Sequence, residues 1–255
     1  MREYPDKVVI NGEVFHFEKV LKDDFFSVNL LYKNQLNVRY VLKLSDFRFV
    51  LGRMLRPLAV LISRREYEIY TKLEGIEGIP ALGLRFGRRG YFHMYVEGKT
   101  LHEMKPGDPI PEDFFIRLMA IISQVHERRI FYLDLHKRGN IICGKDMKPY
   151  LIDFQVSLYF RKRNGIGGWI SDRIFKSLIR EDIYHFYRHK MDFQTHLMTP
   201  EEWLLATTRT RFNKVISRFL GRPYRKVKRL IYPSGSNEII WYKWKKMKDQ
   251  SKRMP

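Results

Sequence analysis

Two short stretches of this 255-residue chain carry side chains suited to a hard cation and a proton. The first is Tyr132-Leu133-Asp134-Leu135-His136-Lys137-Arg138-Gly139-Asn140-Ile141-Ile142, and the second is Tyr150-Leu151-Ile152-Asp153-Phe154-Gln155. The apolar runs Ile141-Ile142-Cys143 and Tyr150-Leu151-Ile152, separated by a turn from Gly144 to Pro149, read as a β-hairpin. Asn140 and Asp153, 13 positions apart, then stand at its two ends. An amide oxygen and a carboxylate are the hard donors that a small divalent cation accepts while keeping several waters. Asp134 adds a second carboxylate at the mouth of the same loop, a group able to exchange a proton. Far upstream, Tyr40-Val41-Leu42-Lys43-Leu44 alternates as a strand, with Lys43 on the face opposite Leu42 and Leu44. One ammonium is thereby isolated among apolar neighbours.

The elements that must position these groups fall into two blocks. Residues 8 to 44 read as β-rich, with short runs such as Val14-Phe15-His16-Phe17 and Val28-Asn29-Leu30-Leu31-Tyr32 bounded by polar turns. A helix is expected over 63 to 74, N-capped by Ser63 and ended by Gly75 and Gly78-Ile79-Pro80. The stretch from Phe49 to Ile62, broken by Arg53, Arg56 and Pro57, reads as a buried or interfacial helix rather than a membrane span. A strand at Tyr91 to Val96 stops at Glu97-Gly98 and gives way to a short linker near 97 to 101. From Pro111 to Arg129 a helix carries Phe114, Phe115, Leu118, Ile121, Ile122 and Val125 on one core-facing stripe. The remainder is mainly helical. The coarse architecture is an α+β chain with a small β-rich lobe (1–96), an α-rich lobe (97–206) and a basic extension (207–255).

The order and setting of these residues resemble the protein-kinase-like superfamily over roughly residues 14 to 190. Asp134 stands where that family has its catalytic aspartate, Asn140 where it has the loop asparagine, and Asp153 where it has the aspartate of the D-F-G motif. The resemblance implies a bilobal fold, ATP and Mg²⁺ as cofactors, and transfer of the γ-phosphate to a hydroxyl. Asn140 and Asp153 would hold the metal, and Asp134 would orient the acceptor hydroxyl and take its proton. Lys43 would neutralise the α- and β-phosphates, held by Glu66 on the following helix. Glu68 competes for that place; Glu66 is preferred because Ile69 and Tyr70, three and four residues on, put it on the inward face. Tyr95 to Leu101 resembles the hinge that receives adenine, with Val96 and Glu97 as its contacts, although a plain strand end reads equally well.

The chain departs from the family pattern in ways that narrow the resemblance. Lys22-Asp23-Asp24-Phe25-Phe26-Ser27, where the phosphate-covering loop belongs, has no glycine, so side chains hinder close backbone approach and two aspartates face the phosphates. Tyr132-Leu133 replaces His-Arg, which removes the partner of a phosphorylated activation loop. The catalytic loop is one residue longer than usual, so His136 or Lys137 fills the place of the phosphate-contacting lysine; Lys137 is preferred for its permanent charge. Gln155 replaces the last glycine of D-F-G, and no A-P-E follows. Such endings resemble the RIO-type kinases and the bacterial lipopolysaccharide-core (Kdo/heptose) kinases, which implies a compact, constitutively assembled phosphotransferase. Asp182, in Glu181-Asp182-Ile183-Tyr184-His185-Phe186, either braces the catalytic loop or starts a solvated helix.

Composition bounds the partners. A single cysteine, Cys143, excludes an internal disulfide framework, and with too short an apolar run near the N-terminus for a signal peptide it points to the cytoplasm. The net charge is +20, and residues 207 to 255 hold fifteen Lys and Arg against Glu238 and Asp249. Trp241, Tyr242 and Trp244 interleave with lysines there, a pattern that suits an anionic membrane surface at the inner face of the cell membrane, or, ranked lower, an RNA backbone. The acceptor implied is a hydroxyl of a sugar or lipid-linked envelope component, or of a protein Ser or Thr. The alternative is a pseudokinase, a nucleotide-binding or membrane-surface interaction module without efficient turnover, motivated by the glycine-free loop.

Overall fold

The computed structural model describes residues 4–23, 27–45, 56–105 and 107–208. The basic extension from 209 onward, the tip of the glycine-free loop and the stretch from 46 to 55 lie outside the described residues.

The β-rich lobe is a six-stranded antiparallel sheet built from β1 (Lys7–Ile10), β2 (Glu13–Asp23), β3 (Ser27–Asn34), β4 (Arg39–Ser45), β5 (Leu82–Phe86) and β6 (Gly90–Met94), in the order β1-β2-β3-β4-β6-β5. Alternation along these strands sends Phe15, Leu30, Tyr32, Leu42 and Phe92 to one face, where they form a core of their own, with Phe15 stacked on Phe92. Lys43, one residue out of phase with Leu42, points to the other face.

Across that second face lies α1 (Arg56–Leu73). It begins at Arg56, seven residues before the expected start, and takes in the described end of the helix expected over Phe49 to Ile62, the rest of which lies outside the described residues; Ser63 is no N-cap, because it sits inside the helix, fully buried. The inward residues Ala59, Ser63, Glu66, Ile69, Tyr70 and Leu73 recur at helical spacing. Small Ser63 lets the helix approach its neighbours, and this packing, not a cap, sets its place in the chain.

The expected linker is partly a strand. β7 (Gly98–Thr100) pairs antiparallel with β9 (Ile141–Gly144), which pairs in turn with β10 (Pro149–Leu151). A Cβ at position 98 would collide with the Cys143 carbonyl oxygen, so only glycine allows this approach. The lobe that follows holds α2 (Phe114–Glu127), the short pair β8 (Ile130–Phe131) and β11 (Leu158–Tyr159), the 29-residue α3 (Gly165–Phe193) and α4 (Pro200–Thr207). One large core joins the lobes: Ile69, Tyr70 and Tyr91 pack in the same cluster as Phe115, Leu118, Leu135 and Phe154. The fold is bilobal, β-sheet-rich then α-helix-rich, in the protein-kinase-like architecture.

Candidate active site

Lys43 is the centre of the site. Its Nζ lies 2.7 Å from Glu66 Oε1 and 2.7 Å from Asp153 Oδ1, joining β4, α1 and the segment after β10. Glu66 is fully buried, whereas Glu68 is exposed and pairs with Arg64. Burial works against the Lys43 charge, but the carboxylates of Asp153 and Glu66 overcome it and raise its pKa. Burial also pushes Asp153 up, and Lys43 more than reverses this, bringing the carboxyl down to about 2. Glu66 moves the other way, because its burial outweighs the pull of the shared ammonium. Asp153 is held in the left-handed region at φ 64, a conformation costly for a residue with a Cβ and sustained by its surroundings.

Asp134, Lys137 and Asn140 form a second group on the loop before β9. Lys137 Nζ donates to Asp134 Oδ2 at 2.5 Å, His136 Nδ1 lies 3.7 Å from Oδ1, and the Asn140 amide donates to the Asp134 carbonyl at 3.4 Å. Asp134 and Asn140 are buried, and the loop is braced from beneath. Asp182 is no solvated helix start: it lies inside α3 with no exposure and accepts from Tyr132 N, Leu133 N and His126 Nε2 at 2.9 to 3.1 Å. Leu133 has φ 69, so Asp182 holds the backbone where it is strained. Burial pushes the Asp182 carboxyl up in spite of these three donors. His189 Nε2 bonds to the Leu135 carbonyl, and the Tyr132 phenol donates to the Ile152 carbonyl, which ties the loop to the strand leading to Asp153.

Val96 and Glu97 lie on the segment joining the lobes. The Glu97 carboxylate meets Lys145 at 2.8 Å and Arg39 at 3.7 Å, and its carbonyl accepts from Lys145 N. They stand apart from the two charged groups above. A cavity of about 610 Å³ opens beside the loop from Asp134 to Asn140, lined by Lys22, His102, His136, Lys137, Arg138 and Asn140. Lys22 comes from the end of β2, inside the glycine-free stretch, and its charge helps to lower Asp153. Its type signalled this: a lysine beside two aspartates, read from sequence only as part of an obstructed loop. Nothing in the sequence signalled His126 or Ser157, whose hydroxyl donates to the Tyr132 carbonyl, or Arg65, which reaches the Ser157 carbonyl.

The donor set fits Mg²⁺: Lys43 brings the Asp153 carboxyl down to about 2, which favours the carboxylate, and Asn140 carries an amide oxygen. Among the described residues no group of three or more His, Cys, Asp or Glu could hold a metal by itself, so a cation here would complete its shell with phosphate oxygens and water.

No family model matches the chain. The EKC/KEOPS complex subunit BUD32 of Encephalitozoon cuniculi is 32% identical to it over 153 residues, which is 58% of this chain and 69% of that protein. This chain belongs to the BUD32 family. Its fold is similar to that of the Rio2 kinase of Chaetomium thermophilum in an ADP/Mg²⁺-phosphoaspartate complex, with a TM-score of 0.50 and 16% identity, covering 81% of this chain and 62% of that one. A second structure of the same kinase gives TM-score 0.50 and 16% identity over 93% of this chain and 74% of the other. At that identity the likeness is one of fold, and this chain spans less than two thirds of the first Rio2 chain. The likeness to Rio2 bears out the protein-kinase-like fold expected from the sequence. Among the described residues no helix is long and apolar enough to cross a membrane.

Proposed function

We propose that this chain is an ATP- and Mg²⁺-dependent phosphotransferase that moves the γ-phosphate to a hydroxyl. The observation that carries the reading is the buried Lys43 held between Glu66 and Asp153, 2.7 Å from each. Keeping three charges out of water costs free energy, so the cluster is a poor device for stability alone and a good one for gripping phosphate. The Rio2 structure that shares the fold contains ADP and Mg²⁺, which supports the same class of ligand here.

In this mechanism Lys43 turns its ammonium to the α- and β-phosphate oxygens while Glu66 fixes its position. Asn140 and Asp153 would hold Mg²⁺ through their side-chain oxygens, and the cation would supply charge neutralisation for the phosphates. Val96 and Glu97 line the adenine side through their backbone. Asp134 accepts the hydroxyl proton as the new O–P bond forms and ADP leaves, and Lys137, already on its Oδ2, steadies the negative charge of the transferring group. The cationic cavity beside the loop, with Lys22 across from Lys137, admits the acceptor. A sugar or lipid-linked hydroxyl or a protein Ser or Thr meets this chemistry.

The test is a thermal shift with ATP and Mg²⁺ against ATP and EDTA, combined with release of ADP. Wild type is expected to be stabilised only with the metal, Asp153→Asn to lose that stabilisation, and Asp134→Asn to keep it while losing ADP release. No shift for wild type at millimolar ATP would overturn the reading. A shift without ADP release, unchanged by Asp134→Asn, would leave a nucleotide-binding module in its place.

A further inference from the structure

The first half of α3 presents its wrong side to water. Gly168, Phe175, Leu178 and Asp182 turn inward, yet the opposite face carries Ile166 at 80% exposure, Trp169 at 63%, Ile170 at 47% and Ile174 at 48%. Successive turns of one helix face thus hold four large apolar side chains out of the core, over a length of about 12 Å at the rise of an α-helix. Single exposed apolar residues are ordinary, but a contiguous stripe of this kind marks a binding surface.

The charges around the stripe identify what it meets. Between 161 and 180 there are six basic residues, Arg161, Lys162, Arg163, Arg173, Lys176 and Arg180, all exposed. The only carboxylate in that span, Asp172, is paired with Arg129. Arg173 lies over the Trp169 ring with its guanidinium 5.6 Å from the centroid, so the cation and the indole share the surface. An indole and isoleucines flanked by exposed cations match the chemistry of an anionic lipid surface, where the apolar tips enter below the headgroups and the basic groups meet them. We infer that the outer face of α3 docks this chain onto anionic bilayers, independently of the basic extension beyond residue 208.

The full chain is tested by sedimentation with vesicles of phosphatidylcholine alone and of phosphatidylcholine with phosphatidylglycerol. Wild type is expected to bind the anionic vesicles at least ten-fold more strongly. Trp169→Ser with Ile170→Ser, and separately Arg173→Glu with Lys176→Glu, are each expected to weaken that binding at least ten-fold with the melting temperature unchanged. Trp169→Phe reports position directly: quenching of tryptophan emission by brominated lipid should fall in this variant relative to wild type. The inference is overturned if both pairs of substitutions leave vesicle binding as it was. It is equally overturned if they abolish self-association or binding to poly(U) while lipid binding persists.

Discussion

Replacing Lys43 by methionine would remove the ammonium that Glu66 and Asp153 share, leaving both carboxyls without it. Taking one partner from a buried ion pair costs about 3–5 kcal/mol, because the remaining charge stays desolvated. Part of that cost depends on pH in a direction the structure sets. Asp153 titrates at about 2 in the fold against 3.8 for an ordinary aspartate. At about 1.4 kcal/mol per pH unit this depression contributes about 2 kcal/mol, less what solvent screens at a side chain 23% exposed. A depressed carboxyl binds its proton later than the unfolded chain does, so this stability is complete above 3.8 and is lost as the pH falls through about 2. Without Lys43 the burial of both carboxyls acts unopposed and raises them, and the variant regains ground on wild type as they protonate. Urea unfolding followed by tryptophan fluorescence near pH 7, 5.5 and 4 is the assay. A deficit of about 3–5 kcal/mol near pH 7 should narrow by about 1 kcal/mol or more by pH 4. A deficit that is below about 1 kcal/mol, or the same at every pH, refutes the argument.

Asp182→Ala strands two buried N–H groups and His126, and is expected to cost about 2–4 kcal/mol in urea unfolding and to slow ADP release even where the fold survives. Gly98→Ala forces a Cβ onto the Cys143 carbonyl and should lower the melting temperature by several degrees through loss of the β7–β9 pairing. His93, which burial brings down to about 4, should be neutral at pH 7 and titrate near that value by NMR. The stability it carries is full above 6.5 and falls as the pH is lowered toward 4, and a titration near 6.5 would show the ring to be open to water. Lys22→Met removes a cation near enough to help lower Asp153, beside which the phosphates are proposed to bind, and is expected to weaken ATP binding several-fold, read by calorimetry, with adenosine binding unaltered.

Local pattern and three-dimensional packing divided the information unevenly. Alternation in 40 to 44 is enough to set Lys43 apart from the core face, and the i+3, i+4 relation of Glu66 to Ile69 and Tyr70 is enough to turn it inward, because strand and helix periods are properties of the backbone itself. The turn between Ile141-Ile142-Cys143 and Tyr150-Leu151-Ile152 is similarly local, and β9 and β10 pair there. Ser63 misled because a polar residue ahead of a charged helical run has the same signature whether it caps a helix or lets one pack closely; burial separates the two. β7 has three residues, too few for any period, and exists because Gly98 allows contact with a strand more than 40 positions away. The sharing of one ammonium by Glu66 and Asp153, the support of Leu133 by a carboxylate 49 positions on, and the outward turn of Trp169 are tertiary facts. Their energies come from desolvation and from pairing across the fold, and a chain written in one dimension holds the residues for them without the distances.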